Sequence, residues 1–73
     1  MNKIHIKTFD LEGEYIELTS LLKVMNLAQT GGQAGLLVVD GLVKLNGNQE
    51  SRKRAKIRSG DVITKKKKKI LVK

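Results

Sequence analysis

Residues 30–58, TGGQAGLLVVDGLVKLNGNQESRKRAKIR, place a helix start, a helix stop, a hairpin turn and a dense basic run one after another. At their head, Thr30-Gly31-Gly32-Gln33 reads as a capping box: the Thr30 hydroxyl can accept from the backbone N–H of residue 33, while the Gln33 side chain returns to Thr30. The helix so started is expected to run to about Asp40 with Ala34, Leu37 and Val38 inward, and Gly41 is placed to take the left-handed conformation after its end. Val43 and Leu45 then alternate with Lys44 and Asn46. The Asn46-Gly47 pair is a strong hairpin signal because both residues tolerate positive φ. A second brief strand is predicted through Gln49 and Glu50, and the chain then enters Arg52-Lys53-Arg54-Ala55-Lys56-Ile57-Arg58.

Outward from this stretch, Ser59-Gly60-Asp61 reads as a turn before a strand at Val62-Ile63-Thr64, and Ile70-Leu71-Val72 as a last strand. Between them Lys65 to Lys69 is too charged to pack and is expected at an exposed turn or a strand edge. Toward the N-terminus, Leu18, Leu21, Leu22 and Met25 recur at helical spacing, with Thr19 as the cap and Asn26 as the end point. Lys3 to Phe9 alternate, with Ile4, Ile6 and Thr8 on one side and His5 and Lys7 on the other, which predicts a half-buried strand. The pattern is that of an α+β chain with two short helices and a mainly antiparallel sheet of about four to five strands.

Charge is divided unevenly. Residues 1–43 hold three lysines against five carboxylates, a net of −2, whereas residues 44–73 hold twelve cations against two carboxylates, a net of +10. A field of one sign this lopsided concentrates polyanions and speeds encounter with them, so nucleic acid, an anionic membrane surface or an acidic protein is the expected partner. Membrane binding is disfavoured because the basic run adjoins no amphipathic helix with aromatic anchors.

At 73 residues, one domain is expected and a deep substrate cleft is not. With no cysteine, disulfide frameworks and thiolate metal sites are excluded. No apolar run has signal-peptide length or the roughly 18 residues of a membrane span, so a soluble, cytoplasmic protein is expected; a monomer is expected as well. Catalysis is not expected either. His5 is the lone histidine, Glu12, Glu14 and Glu17 suit the start of a helix better than a metal site, and no Gly-x-x-x-x-Gly-Lys-Ser/Thr loop is present. No cofactor is implied.

Several segments together resemble a known family: Leu21-Leu22-Lys23, Leu27-Ala28-Gln29-Thr30-Gly31-Gly32-Gln33-Ala34, Gly41-Leu42-Val43-Lys44-Leu45-Asn46-Gly47 and Gly60-Asp61-Val62-Ile63. They are similar to the RNA-binding domain named after small-subunit ribosomal protein four, the alpha-L motif. The most specific feature is the spacing from the Asn-Gly segment to the Gly-Asp. The Thr-Gly-Gly and Arg52 to Lys56 pieces resemble the small stand-alone bacterial members called YaaA-like. The resemblance implies a single domain over residues 1–73 with its core motif at about 15–64, two helices and a hairpin docking on structured ribosomal or transfer RNA, and a role in ribosome assembly or translation on a ribosomal subunit. It departs at one point. Many members carry Ser-Arg where this chain has Thr30-Gly31, so the hydroxyl cap is kept and the arginine contact is not. Losing one such contact costs on the order of 1 kcal/mol, which the Arg52 to Arg58 cluster can offset.

The candidate RNA-binding residues are therefore Lys23, Gln29, Thr30, Gly31, Gly32, Gln33, Lys44, Asn46, Arg52, Lys53, Arg54, Lys56 and Arg58. Helix starts attract phosphate through unpaired N–H groups, and Gly31 and Gly32 would either allow close approach of a phosphate or serve only the tight link between the helices, two readings that do not exclude each other. Arg52, Arg54 and Arg58 offer planar forks, and Lys44, Lys53 and Lys56 mobile point charges. Alternation would put Arg52, Arg54 and Lys56 on one side. The aromatics, Phe9 and Tyr15, fall outside the basic run and are expected in the core, which favours phosphate and shape readout over base stacking. A protein-interaction adaptor on an acidic partner and a DNA-binding module are the alternatives.

Overall fold

The computed structural model describes residues 4–73. Strands β1 (His5–Phe9) and β2 (Ile16–Glu17) precede helices α1 (Leu18–Val24) and α2 (Gly31–Val39). They are followed by β3 (Lys44–Leu45), β4 (Asn48–Gln49), β5 (Lys56–Ile57), β6 (Val62–Lys65) and β7 (Lys68–Val72). Five strands form one sheet in the order β1-β7-β6-β3-β4, while β2 and β5 pair separately. The expected α+β class and strand number hold. All the pairings are antiparallel except β1 with β7, which run parallel and join the two ends of the chain.

The helices cover one face of the large sheet. The inward row of partners is Leu45, Ile63 and Ile70, and these meet Leu18, Leu21, Leu22, Ala34 and Val38 from the helices in one apolar core. Burying a Leu, Ile or Val side chain of this kind contributes roughly 1.5–3 kcal/mol each, which matters in so small a domain.

Local signals explain most element ends. Gln33 N–H donates to Thr30 Oγ1 at 3.0 Å, as a cap requires, but the Gln33 side chain returns to the N–H of Gln29, at 2.7 Å, and not to Thr30. Asp40 caps the other end of α2 and Gly41 follows at φ +76°. Asn26, at φ +62°, stands just beyond α1.

Two further expectations fail. Thr19 does not cap α1: the helix begins a residue earlier, and Leu18 and Thr19 donate to the carbonyls of Ala55 and Lys53 at 2.9 and 3.3 Å. The half-buried strand is inverted. Register pairs Lys7 with Ile70 and Phe9 with Val72, so Phe9 sets the inward face while Ile4 and Ile6 stand 59% exposed. Lys3 lies outside the described residues. The lysine run takes the exposed turn of its two expected places: Lys66 and Lys67 turn between β6 and β7, both interior strands, with Lys66 at φ +54°.

Candidate nucleic-acid interface

The basic run becomes a loop held against the helix pair. By accepting the first N–H groups of α1, the Lys53 and Ala55 carbonyls take the place of a side-chain cap and fix the loop backbone where α1 begins. Ala55 and Ile57 are buried beneath it. Their neighbours Arg52, Arg54, Lys56 and Arg58 therefore point outward and line one open depression of about 510 Å³, bringing together the residues that alternation assigned to one side.

Lys53 leaves that group and reaches α2. Its methylenes lie over Gly35, 3.3 to 3.4 Å from where a side chain on that residue would begin. One turn earlier on α2, the Lys23 stem passes beside Gly31 at 4.0 Å by the same measure. Gly35 thus lets the Lys53 stem lie across the helix surface, and both lysines remain exposed. Gly31 and Gly32 are exposed at the helix start, where backbone N–H groups lack intrahelical partners. Thr30, Gln29 and Gln33 are exposed too, held by the capping bonds described above.

Two candidates stand apart from this surface, and a third lies on it with its fork occupied. Lys44 is paired with Thr64, which is paired with Lys69, on the sheet face turned away from the helices. Asn46, at φ +52°, spends its carboxamide internally: Nδ2 donates to Asp61 Oδ1 at 3.0 Å and Oδ1 accepts from the Val62 N–H at 2.8 Å. Arg52 lines the depression, but Glu50 occupies its fork, with Nε and Nη2 each 3.1 Å from a Glu50 oxygen and the Arg52 N–H at 3.0 Å. These bonds hold the Glu50 carboxyl below the usual carboxylate range, the guanidinium's side-chain hydrogen bonds being the main cause, and raise Arg52 in turn. Arg54, Lys56 and Arg58 have no carboxylate within ion-pair distance among the described residues.

Tyr15 was missed. It is 42% exposed rather than in the core, and the Lys56 ammonium lies 5.0 Å above its ring. The pairing of Glu17 with Lys56 across β2 and β5 brings it there. Residues 15 and 56 are too far apart in sequence for any local pattern to join them. Phe9, by contrast, packs partly buried against the core. Among the described residues, no three His, Asp or Glu side chains converge where they could hold a metal ion, and no helix is long and apolar enough to cross a membrane.

Two helices with a hairpin and a basic loop on a small mixed sheet define the alpha-L RNA-binding fold. Residues 9–73 match the family model of the S4 domain, and the chain belongs to that family. Over 58 residues it is 38% identical to the "Putative RNA-binding protein YbcJ" of Escherichia coli strain K12, covering 78% of this chain and 83% of that protein. YbcJ of Shigella flexneri matches to the same extent. The solution structure of E. coli YbcJ, described as revealing an alpha-L motif involved in RNA-binding, superposes with a TM-score of 0.69 and 35% identity over 89% of this chain and 84% of that one.

Proposed function

We propose that this protein binds structured RNA without catalysis, through phosphate and shape contacts made by the 52–58 loop and the start of α2, and that its target is ribosomal or transfer RNA in ribosome assembly or translation. The observation that carries the reading is the seating of the loop on the helices. Lys53 lies over α2 and Lys23 beside its start, while Arg54, Lys56 and Arg58 project from the loop with no carboxylate in ion-pair distance among the described residues, so the cations extend from a backbone that is held in place. A backbone already held in place avoids the ordering cost that a mobile tail pays on binding. The surface lacks a stacking row of aromatics, which suits a folded RNA whose phosphates and 2′-hydroxyls are presented in a shallow groove. Membership of a family with an alpha-L RNA-binding fold supports the same conclusion.

The test is crosslinking to RNA in cells, comparing wild type with an Arg54→Ala/Lys56→Ala/Arg58→Ala variant that circular dichroism shows to be folded. Enrichment at one ribosomal or transfer RNA site, lost in the variant, is the expected result. Diffuse or absent crosslinks, or a complex that survives RNase, would instead favour an acidic protein partner. Equal affinity for DNA of matched shape would remove the RNA preference.

A further inference from the structure

The sheet is wider than the two helices that cover it. At the β1 edge the uncovered inner face and the end of α1 enclose a cavity of about 250 Å³, lined by His5 and Lys7 of β1, Lys68 and Ile70 of β7, and Met25, Asn26 and Leu27 after α1. The floor is apolar: Ile70 is buried and Met25 and Leu27 are half-buried. The rim is His5, Lys7 and Lys68, all exposed. No carboxylate lines the cavity, and neither lysine has an ion-pair partner among the described residues.

An apolar floor with two uncompensated lysines on its rim selects an anion that carries a flat apolar body. The volume lies just under the roughly 300 Å³ at which small-molecule pockets usually begin, so it suits one ring system and not an extended ligand. Polarity within the cavity orients that ligand. The carbonyl end of α1 carries partial negative charge, which turns the anionic group away from Met25 to Leu27 and toward Lys7 and Lys68 on the strands. The ring is left over the Met25, Leu27 and Ile70 side chains, with the Asn26 carboxamide at its edge.

We infer that this cavity is a nucleotide pocket, which accepts one unstacked base of a bound RNA with its phosphate between Lys7 and Lys68. The inference rests on the RNA-binding reading for the source of the nucleotide, but it concerns residues separate from the 52–58 loop. It also gives the lysine hairpin a task beyond adding to the field: Lys68 contacts one particular phosphate.

Titration of the 15N-labelled full chain with adenosine 5′-monophosphate tests it, with adenosine and inorganic phosphate as separate probes. Saturable shifts at Lys7, Asn26, Leu27 and Ile70 are expected with the nucleotide, and affinity at least about tenfold lower for either half alone. A folded Lys7→Ala/Lys68→Ala variant should lose about tenfold or more, while Arg54→Ala/Arg58→Ala keeps the response. Shifts confined to the 52–58 loop, an equal response to phosphate alone, or an unchanged response in Lys7→Ala/Lys68→Ala would overturn the pocket. If the pocket fails while hairpin RNA still binds wild type and not Arg54→Ala/Arg58→Ala, the RNA-binding reading stands. If the nucleotide shifts appear and no RNA binds, the pocket stands and that reading falls.

Discussion

Asn46 and Asp61 are joined side chain to side chain at 3.0 Å, and that bond ties the β3–β4 hairpin to the turn before β6. Asp61 also accepts from the Arg58 N–H at 2.7 Å through its other oxygen. The Asn-Gly and Gly-Asp pairs, the most specific spacing in the sequence, therefore form a structural lock. Asn46→Ala is expected to cost about 2 kcal/mol, through lost hydrogen bonds and an alanine forced to positive φ. Asn46→Gly, which keeps only the first penalty, should cost about half as much. Urea denaturation measures both. RNA affinity of the folded variants should stay within about twofold of wild type, and a larger loss would return Asn46 to the interface.

Glu50 sets Arg52 apart from its neighbours. Each free cation that meets a phosphate contributes about 0.7–0.9 to the magnitude of the log-log salt slope. Arg54→Ala and Arg58→Ala should each lower the slope by that amount, and Arg52→Ala by clearly less, because its fork is already occupied. Glu50→Gln, which weakens the competing partner, should raise affinity. A full unit lost in Arg52→Ala would show that RNA displaces Glu50.

The same pair gives a pH dependence. Glu50 is held below its ordinary value of 4.5 in the folded chain, so its contribution is present above that value and is lost as pH falls through the lower, folded one. Wild type should therefore lose more stability than Glu50→Gln as pH falls below about 5, with the two curves parallel near neutrality. The pair is partly exposed, which keeps the difference small and screened by salt.

Two glycines should respond in opposite directions. Gly35 has ordinary helical geometry, and the three atoms nearest an added methyl are flexible methylenes of Lys53. Gly35→Ala should therefore raise stability by about 0.5–1 kcal/mol through helix propensity. RNA affinity should fall a few-fold as Lys53 is displaced. Gly41 stands at φ +76° against the Gln49 side chain, which donates to its carbonyl at 3.0 Å. Gly41→Ala meets both strain and a clash, and should destabilise by more than about 1 kcal/mol. Thermal melts decide the stability signs and fluorescence anisotropy with labelled RNA decides the binding effect.

What the sequence made legible was local. The Thr30 cap, the Gly41 stop, the Asn46-Gly47 turn and the charge asymmetry rest on residues a few positions apart, and each appears in the structure. What it concealed depends on pairing between distant segments. The inward face of β1 is set by Phe9 against Val72 at the far end of the chain, because the helices cover too little of that edge for burial of Ile4 and Ile6 to decide it. The α1 cap comes from loop carbonyls, which no side-chain signal announces. Arg52 looked free because arginine and glutamate two residues apart carry no pairing rule outside regular structure, and a loop bend closes that contact.

Tyr15 offers the most direct view of the interface, since it is the one tyrosine in a chain without tryptophan. Its emission therefore reports on one place, where the Lys56 ammonium lies 5.0 Å above the ring. An exposed contact of this kind is worth only about 0.5–1 kcal/mol, less than the charge-assisted contact a phosphate offers the same ammonium at roughly 1.5–3 kcal/mol. Bound RNA should draw Lys56 from the ring, so tyrosine emission, corrected for RNA absorbance, should change with the same midpoint as anisotropy. Lys56→Ala should shift the emission of the free protein and largely remove the RNA-dependent change, while Lys44→Ala, on the opposite sheet face, should leave both as in wild type. Emission that ignores RNA while anisotropy saturates would place the bound strand away from Lys56 and confine the interface to Lys23, Lys53 and the start of α2.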